Sequence, residues 1–369
     1  MKQITITILF SLYLGVVAGQ MHCNYAHYEG SLENGTTYIA DLTFSNGKVT
    51  GYYYYELHQQ TGNADVVIYG DWNYLEGKVD GNNIILYEMN NGDTSAVIRG
   101  SISGNLEIKG DWESGMRGLS SEFNIKPVFP EGTVEFRSYC HLADTALTKK
   151  TDSPKAEINL SLLLPASSVK PGLASLMNKY ILQEYAQKDE GRDGTGILKN
   201  IRFTFFKQYV EKNKDLYESG FSFNWVKYLN SVIYYNEDGY TVYRINNYGF
   251  TGGAHGITRI NYIVFDTENG VKLNKEDIFI EGYEDQLSGL IDKKLRELFE
   301  IPADKSLQDG GFFESKVQAN DNILMNMKGL GFLYNQYEIA PYSYGQIEVF
   351  FSFAELESIF IPGFRKLIY

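Results

Sequence analysis

Thr37-Tyr38-Ile39-Ala40-Asp41-Leu42-Thr43-Phe44-Ser45-Asn46-Gly47-Lys48-Val49-Thr50-Gly51-Tyr52-Tyr53-Tyr54-Tyr55 decides the architecture of the first third of the chain. Two runs rich in β-branched and aromatic residues flank Ser45-Asn46-Gly47, and Asn-Gly is the strongest short-range hairpin signal. The grammar then repeats. Residues 65–70, 73–79, 83–88, 95–102 and 106–112 read as short strands, with turns at Asp80-Gly81 and Asn91-Gly92. Regular short strands with such turns predict an antiparallel β meander that closes into a barrel or a small sandwich. Gly70-Asp71-Trp72 returns as Gly110-Asp111-Trp112. Two copies are too few for a propeller, so the repeat is expected to mark two equivalent strand ends, each tryptophan capping one end of the core.

Before the meander, Lys2 is followed by an apolar run over 4–17 and by Val17-Ala18-Gly19. This is the pattern of a cleaved secretory leader over residues 1–19, and the run is shorter than the roughly 20 residues of a spanning helix. The expected location is periplasmic or extracellular, with no membrane span after cleavage. His22 before Cys23 argues against a lipid anchor. In an oxidising compartment the two cysteines, Cys23 and Cys140, are expected to form one disulfide bracketing an all-β domain over 20–140.

Residues 141–156 carry Lys149, Lys150, Asp152 and Pro154 with little apolar pattern, and read as a linker. Beyond it, 157–369 mixes periods. A strand is expected over 157–164 and a helix over 171–187 with Leu173, Leu176, Met177, Tyr180 and Ile181 on one face. Another helix follows over 201–217, and strands over 221–235, 240–248 and 257–265. An amphipathic helix over 283–299 places Leu287, Leu290, Ile291, Leu295 and Leu298 together. Three short strands and a terminal helix complete an α+β domain.

The net charge of −13 over 369 residues argues against nucleic-acid binding. The five histidines lack metal-ligand spacing, and there is no Gly-x-Ser-x-Gly, His-Glu-x-x-His or Cys-x-x-Cys. No catalytic residue, metal or cofactor is therefore assigned. Two local motifs stand out. Thr251-Gly252-Gly253-Ala254-His255-Gly256 lies between strands, either as an anion-binding backbone nest beside His255 or as a tight crossover. Tyr337-Glu338-Ile339-Ala340-Pro341-Tyr342-Ser343-Tyr344 offers Tyr337, Tyr342 and Tyr344 either as a recognition surface or as packing.

With Asn178-Lys179-Tyr180-Ile181 and the turn over 266–270, these motifs resemble the exported bacterial domain of unknown function shared by the lysozyme-sensing anti-sigma factor RsiV and the accessory, non-catalytic region of PdaC-type peptidoglycan deacetylases. The resemblance covers about 157–362 and implies an exported α+β domain. Three readings stay open: a non-catalytic envelope protein binding lysozyme or another basic protein, a peptidoglycan- or polysaccharide-binding module, and an envelope hydrolase with a site near His255.

Overall fold

The computed structural model describes residues 23–365 except 32–35, 62–63, 91, 116–117, 189–192 and 219–222. The leader expected at 1–19 lies outside the described residues. Nine strands form the first sheet: β1 (Cys23–Ser31), β2 (Thr36–Ser45), β3 (Lys48–Thr61), β4 (Ala64–Tyr69), β5 (Asn73–Asp80), β6 (Asn83–Asn90), β7 (Asp93–Ile102), β8 (Ile108–Ser114) and β9 (Ser120–Pro127). Eight of them close an antiparallel barrel in the order β1-β2-β3-β5-β6-β7-β8-β9, with β9 returning to β1. Strand β4 stands outside the ring, paired to residues 56–61 of β3. Leu42, Phe44, Val49, Leu75, Leu86, Ile98, Ile108 and Phe123 fill the interior.

Gly100 of β7 and Gly110 of β8 face one another. A β-carbon on Gly100 would lie 2.2 Å from the Lys109 carbonyl oxygen, and one on Gly110 2.3 Å from that of Arg99. The two strands approach this closely because neither position carries a side chain, which gives the sheet the local bend that closure demands.

The two Gly-Asp-Trp copies are not equivalent, contrary to the sequence expectation. Trp112 lies within β8, and its Nε1–H donates to Glu88 Oε2 at 3.1 Å. Tyr53 donates to the same carboxylate and the Ser95 hydroxyl to its other oxygen. Trp72 lies outside the ring, stacked on Tyr52 at 5.8 Å and packed against Tyr234 of the second domain at 5.2 Å.

A six-stranded mixed sheet follows: β10 (Phe136–Ala146), β11 (Lys155–Pro165), β12 (Trp225–Glu237), β13 (Tyr240–Phe250), β14 (Ile257–Asp266) and β15 (Val271–Lys272), in that order. Strands β11 and β12 are parallel, joined through helices α1 (Pro171–Glu184) and α2 (Gly194–Glu218). The expected linker is largely a β-hairpin. Residues 136–146 and 155–165 pair throughout, and only the turn between them keeps the polar loop character read from the sequence. Strand β10 is half-buried or exposed at every position after Phe136, so its apolar pattern is too weak to announce a strand.

Helices α1 and α2 cover one face of this sheet, with Met177, Ile181 and Leu198 packed on Leu160, Leu229 and Phe265. A three-stranded sheet of β16 (Ile323–Asn326), β17 (Gly329–Tyr334) and β18 (Ile347–Ser352) covers part of the other face, backed by α3 (Glu284–Leu298). In α3, Leu287, Ile291 and Leu295 are buried as the periodicity predicts, while Leu298 is exposed. The short helices α4 (Phe353–Leu356) and α5 (Pro362–Arg365) end the described chain. Among the described residues no helix is long and apolar enough to cross a membrane.

The expected disulfide is not formed. Cys23 and Cys140 are free thiols, brought to one surface pocket by β1 and β10. They meet as a hydrogen-bonded pair: the Cys140 thiol, together with burial, pushes the Cys23 thiol far above its ordinary value. The Ser138 hydroxyl lies 3.5 Å from the Cys23 sulfur.

The barrel meets the mixed sheet through a buried polar seam. His27 is fully buried, with Nδ1 3.1 Å from Asp41 Oδ1 and Nε2 3.8 Å from Glu237 Oε1. Tyr25 donates to Asp41 at 2.5 Å, and Asn236 Nδ2 donates to the Tyr25 oxygen at 2.9 Å. Tyr54 donates to Glu237. Burial raises the Glu237 carboxyl to about 8, against the opposing pull of Tyr54 and His27. For His27 burial opposes the cation, but Asp41 and Glu237 outweigh it and raise the imidazole above its ordinary value. Both groups therefore hold protons in the folded state that the unfolded chain releases.

Two outcomes follow from this packing. Gly110→Val should destabilise the barrel by about 1–3 kcal/mol, read as a lower denaturant midpoint. The seam should favour folding most below pH 4.5, the unbound carboxyl's value, and lose that contribution as pH rises through about 8. Glu237→Gln should flatten this decline between pH 5 and pH 9 in denaturant titrations; an unchanged slope would remove Glu237 as its source.

Candidate functional site

Strand β14 pairs with β13 on one side, but β15 covers only Phe265 and Asp266 on the other. The outward backbone groups of Thr258, Ile260 and Tyr262 thus lack a strand partner. Side-chain amides take its place. Asn335 Oδ1 accepts from Ile260 N at 2.7 Å while its Nδ2 donates to Ile260 O at 3.0 Å. Gln336 accepts from Thr258 N at 3.1 Å, and Gln346 donates to Thr258 O at 3.2 Å. Asn322 accepts from Tyr262 N and donates to Ile260 O, each at 2.7 Å. An amide carries a donor and an acceptor together, so it can imitate a neighbouring peptide group.

This stitching brings the two sequence motifs together. Loop 251–256 joins β13 to β14, with Gly252 and Gly253 both at φ 102°, in the region that favours glycine. Gly256 lies against the Tyr248 ring, where a β-carbon would come within 2.5 Å of ring atoms. The loop between β17 and β18 carries Tyr337 and Tyr342. The Tyr342 ring stacks on His255 at 3.8 Å and its hydroxyl donates to Gly256 O at 3.2 Å. Tyr337 lies beside Tyr342, the two rings 5.7 Å apart, and is near-parallel to the imidazole at 6.4 Å with its hydroxyl 3.4 Å from His255 Nε2. Tyr337 is half exposed and sits at φ 65°, unusual for a residue with a side chain.

The result is a shelf of three rings, His255 and Tyr337 exposed and Tyr342 half-buried, in a stretch where Thr251 and Ala254 are exposed too. Tyr344 is not part of it. Its hydroxyl donates to Gly310 O at 2.6 Å and its ring packs between Phe299 and Phe312. The His255 nitrogens face the Gly256 carbonyl and a phenol rather than a carboxylate, so this is a stacked histidine and not one set up as a general base. Among the described residues no cluster of three or more histidine, cysteine, aspartate or glutamate side chains could hold a metal ion.

The aromatic surface continues beyond the shelf. Tyr248 lies 5.6 Å from Tyr228, and Tyr228 lines a cleft of about 700 Å³ between the barrel and the mixed sheet. The sheet wall presents Asn159, Ser161, Asn230 and Asn246; the barrel wall presents Lys48, Thr50, Glu76, Lys78 and Tyr87. Neither the amides on β14 nor this cleft was read from the sequence. Each asparagine looks like an ordinary turn or strand residue until the elements meet.

Residues 276–354 match the family described as a protein of unknown function, DUF3298. A DUF3298 domain spans these residues. It is narrower than the 157–362 of the resemblance above, and it contains Tyr337, Tyr342 and Asn335 but not the 251–256 loop. The chain is similar to a crystal structure of a DUF3298 family member from Bacteroides fragilis, with a TM-score of 0.57 and 24% identity over 63% of this chain and 97% of that one. That likeness is one of fold. A DUF3298 family protein from Pseudomonas aeruginosa aligns at a TM-score of 0.46 and 17% identity, over 63% of this chain and 98% of that one. No curated protein matches the chain.

The DUF3298 domain thus holds its neighbour through side chains, and one substitution tests this. Asn335→Ala should cost about 1–3 kcal/mol by stripping partners from Ile260, and should speed hydrogen exchange at the Ile260 amide. Unchanged exchange there would show that the edge is held otherwise.

Proposed function

We propose that this is an exported, non-catalytic cell-envelope binding protein whose Tyr337–His255–Tyr342 shelf stacks on the sugar rings of peptidoglycan or another polysaccharide. The observation that carries this reading is the exposed ring stack, held in place from both loops. Flat aromatic rings with polar tips suit a ligand whose faces are apolar and whose edges carry hydroxyls. The leader-like residues 1–19 support export, and the resemblance to the RsiV and PdaC-accessory domain supports an envelope setting. The hydrolase reading loses ground because His255 is committed to stacking.

A second reading is kept because of the net charge of −13, which favours encounter with a cationic protein such as lysozyme. The two separate cleanly. Pull-down of the chain from residue 20 on insoluble peptidoglycan should retain it, and Tyr337→Ala should weaken retention about tenfold, or 1.4 kcal/mol. Retention unchanged by Tyr337→Ala removes the shelf as the sugar site. A lysozyme complex that forms at low salt and is lost at high salt, without peptidoglycan retention, would instead establish the protein partner.

A further inference from the structure

The inter-domain cleft carries a charge arrangement at odds with the rest of the molecule. Lys48 of β3 and Lys78 of β5 are direct cross-strand partners on the outer face of the barrel. Like charges placed directly opposite are unfavourable in a sheet. Both line the cleft, and among the described residues neither has an ion-pair partner. Glu76 is the one acid among the cleft-lining residues. A paired cationic step within a chain of charge −13 is what an anionic occupant would offset.

The opposite wall supplies neutral polar groups. Asn159, Asn230 and Asn246 present amides, and Ser161 donates to Asn230 at 3.2 Å. The Asn246 Oδ1 atom is buried without a hydrogen-bond partner. It is an acceptor awaiting a donor such as a hydroxyl. Two residues along the same strand the Arg244 guanidinium lies over the Tyr52 and Tyr74 rings, at 5.8 and 5.6 Å. Amides, tyrosine rings and paired lysines suit a hydroxylated ring bearing a carboxylate.

We infer that this cleft binds an acidic sugar unit, and that the shelf and cleft take one acidic oligosaccharide bridged by Tyr248 and Tyr228. The inference rests on the sugar-stacking reading of the shelf for its chain length, whereas its charge preference stands on Lys48 and Lys78.

The test is calorimetric titration of the chain from residue 20 with hexagalacturonate and with cellohexaose, a neutral hexamer. The acidic hexamer should bind at least tenfold tighter at low salt, and 0.5 M sodium chloride should erase the difference. The double variant Lys48→Gln, Lys78→Gln should abolish the preference by bringing hexagalacturonate down to the affinity of cellohexaose. Both side chains are exposed and mutually repelling, so this variant should fold with an undiminished melting temperature. Tyr228→Ala should weaken hexamers but not dimers. Equal binding of the two hexamers, or a preference that survives the double variant, overturns the cleft inference and leaves the shelf reading standing. Unchanged affinity for both hexamers in Tyr337→Ala overturns the shelf reading and keeps the cleft. No binding of either hexamer overturns both.

Discussion

The free edge of β14 is the constraint on which the site depends. A strand buried along one side must satisfy every backbone group it exposes there, and each unmet group costs about 1–3 kcal/mol. Here Asn322, Asn335, Gln336 and Gln346 stand where a strand would. Because these residues flank β16, β17 and β18, satisfying the edge also fixes the small sheet against the large one. The loop carrying Tyr337 and Tyr342 is consequently delivered onto His255. A carboxylate in place of Asn335 would accept from Ile260 N but could not donate to Ile260 O, which explains why amides are used.

A second constraint sets the cleft. The barrel touches the mixed sheet by two unlike patches. One is the aromatic cluster of Tyr52, Trp72 and Tyr234, and the other is the buried polar seam of His27, Asp41 and Glu237. Directional hydrogen bonds in the seam fix orientation more narrowly than apolar packing alone, since a buried polar group must meet its partner at a defined angle. The cleft lies beside these patches, on the part of the sheet face that the small sheet leaves uncovered. Its width is therefore a property of the seam, and residues outside the cleft control it.

Much of the architecture was legible because burial leaves a periodic trace. The alternation around Ser45-Asn46-Gly47 announces the hairpin, and the three- and four-residue spacing in 283–299 announces α3. The failures have equally local causes. Strand β10 is half exposed on both faces, so its composition looks like a linker. The second Gly-Asp-Trp copy shares a local sequence with the first but not its surroundings. The two cysteines are near one another, as the expected bridge requires, yet they meet as thiols.

The candidate site divides the same way. The sequence by itself determined that two glycine- and tyrosine-rich loops were unusual, since such residues at such density depart from ordinary turn chemistry. It also determined the acidic charge, which is composition, and the order of most strands and helices, which follows from local propensity and periodicity. That His255 and Tyr342 stack, that Tyr344 turns away into the core, and that Lys48 and Lys78 share a cleft with Asn246 were decided only by the tertiary structure. These pairings join residues far apart in the chain. The physical reason is that hydrogen-bond satisfaction along an edge and closure of a barrel are conditions on the whole fold, and no window of neighbouring residues contains them.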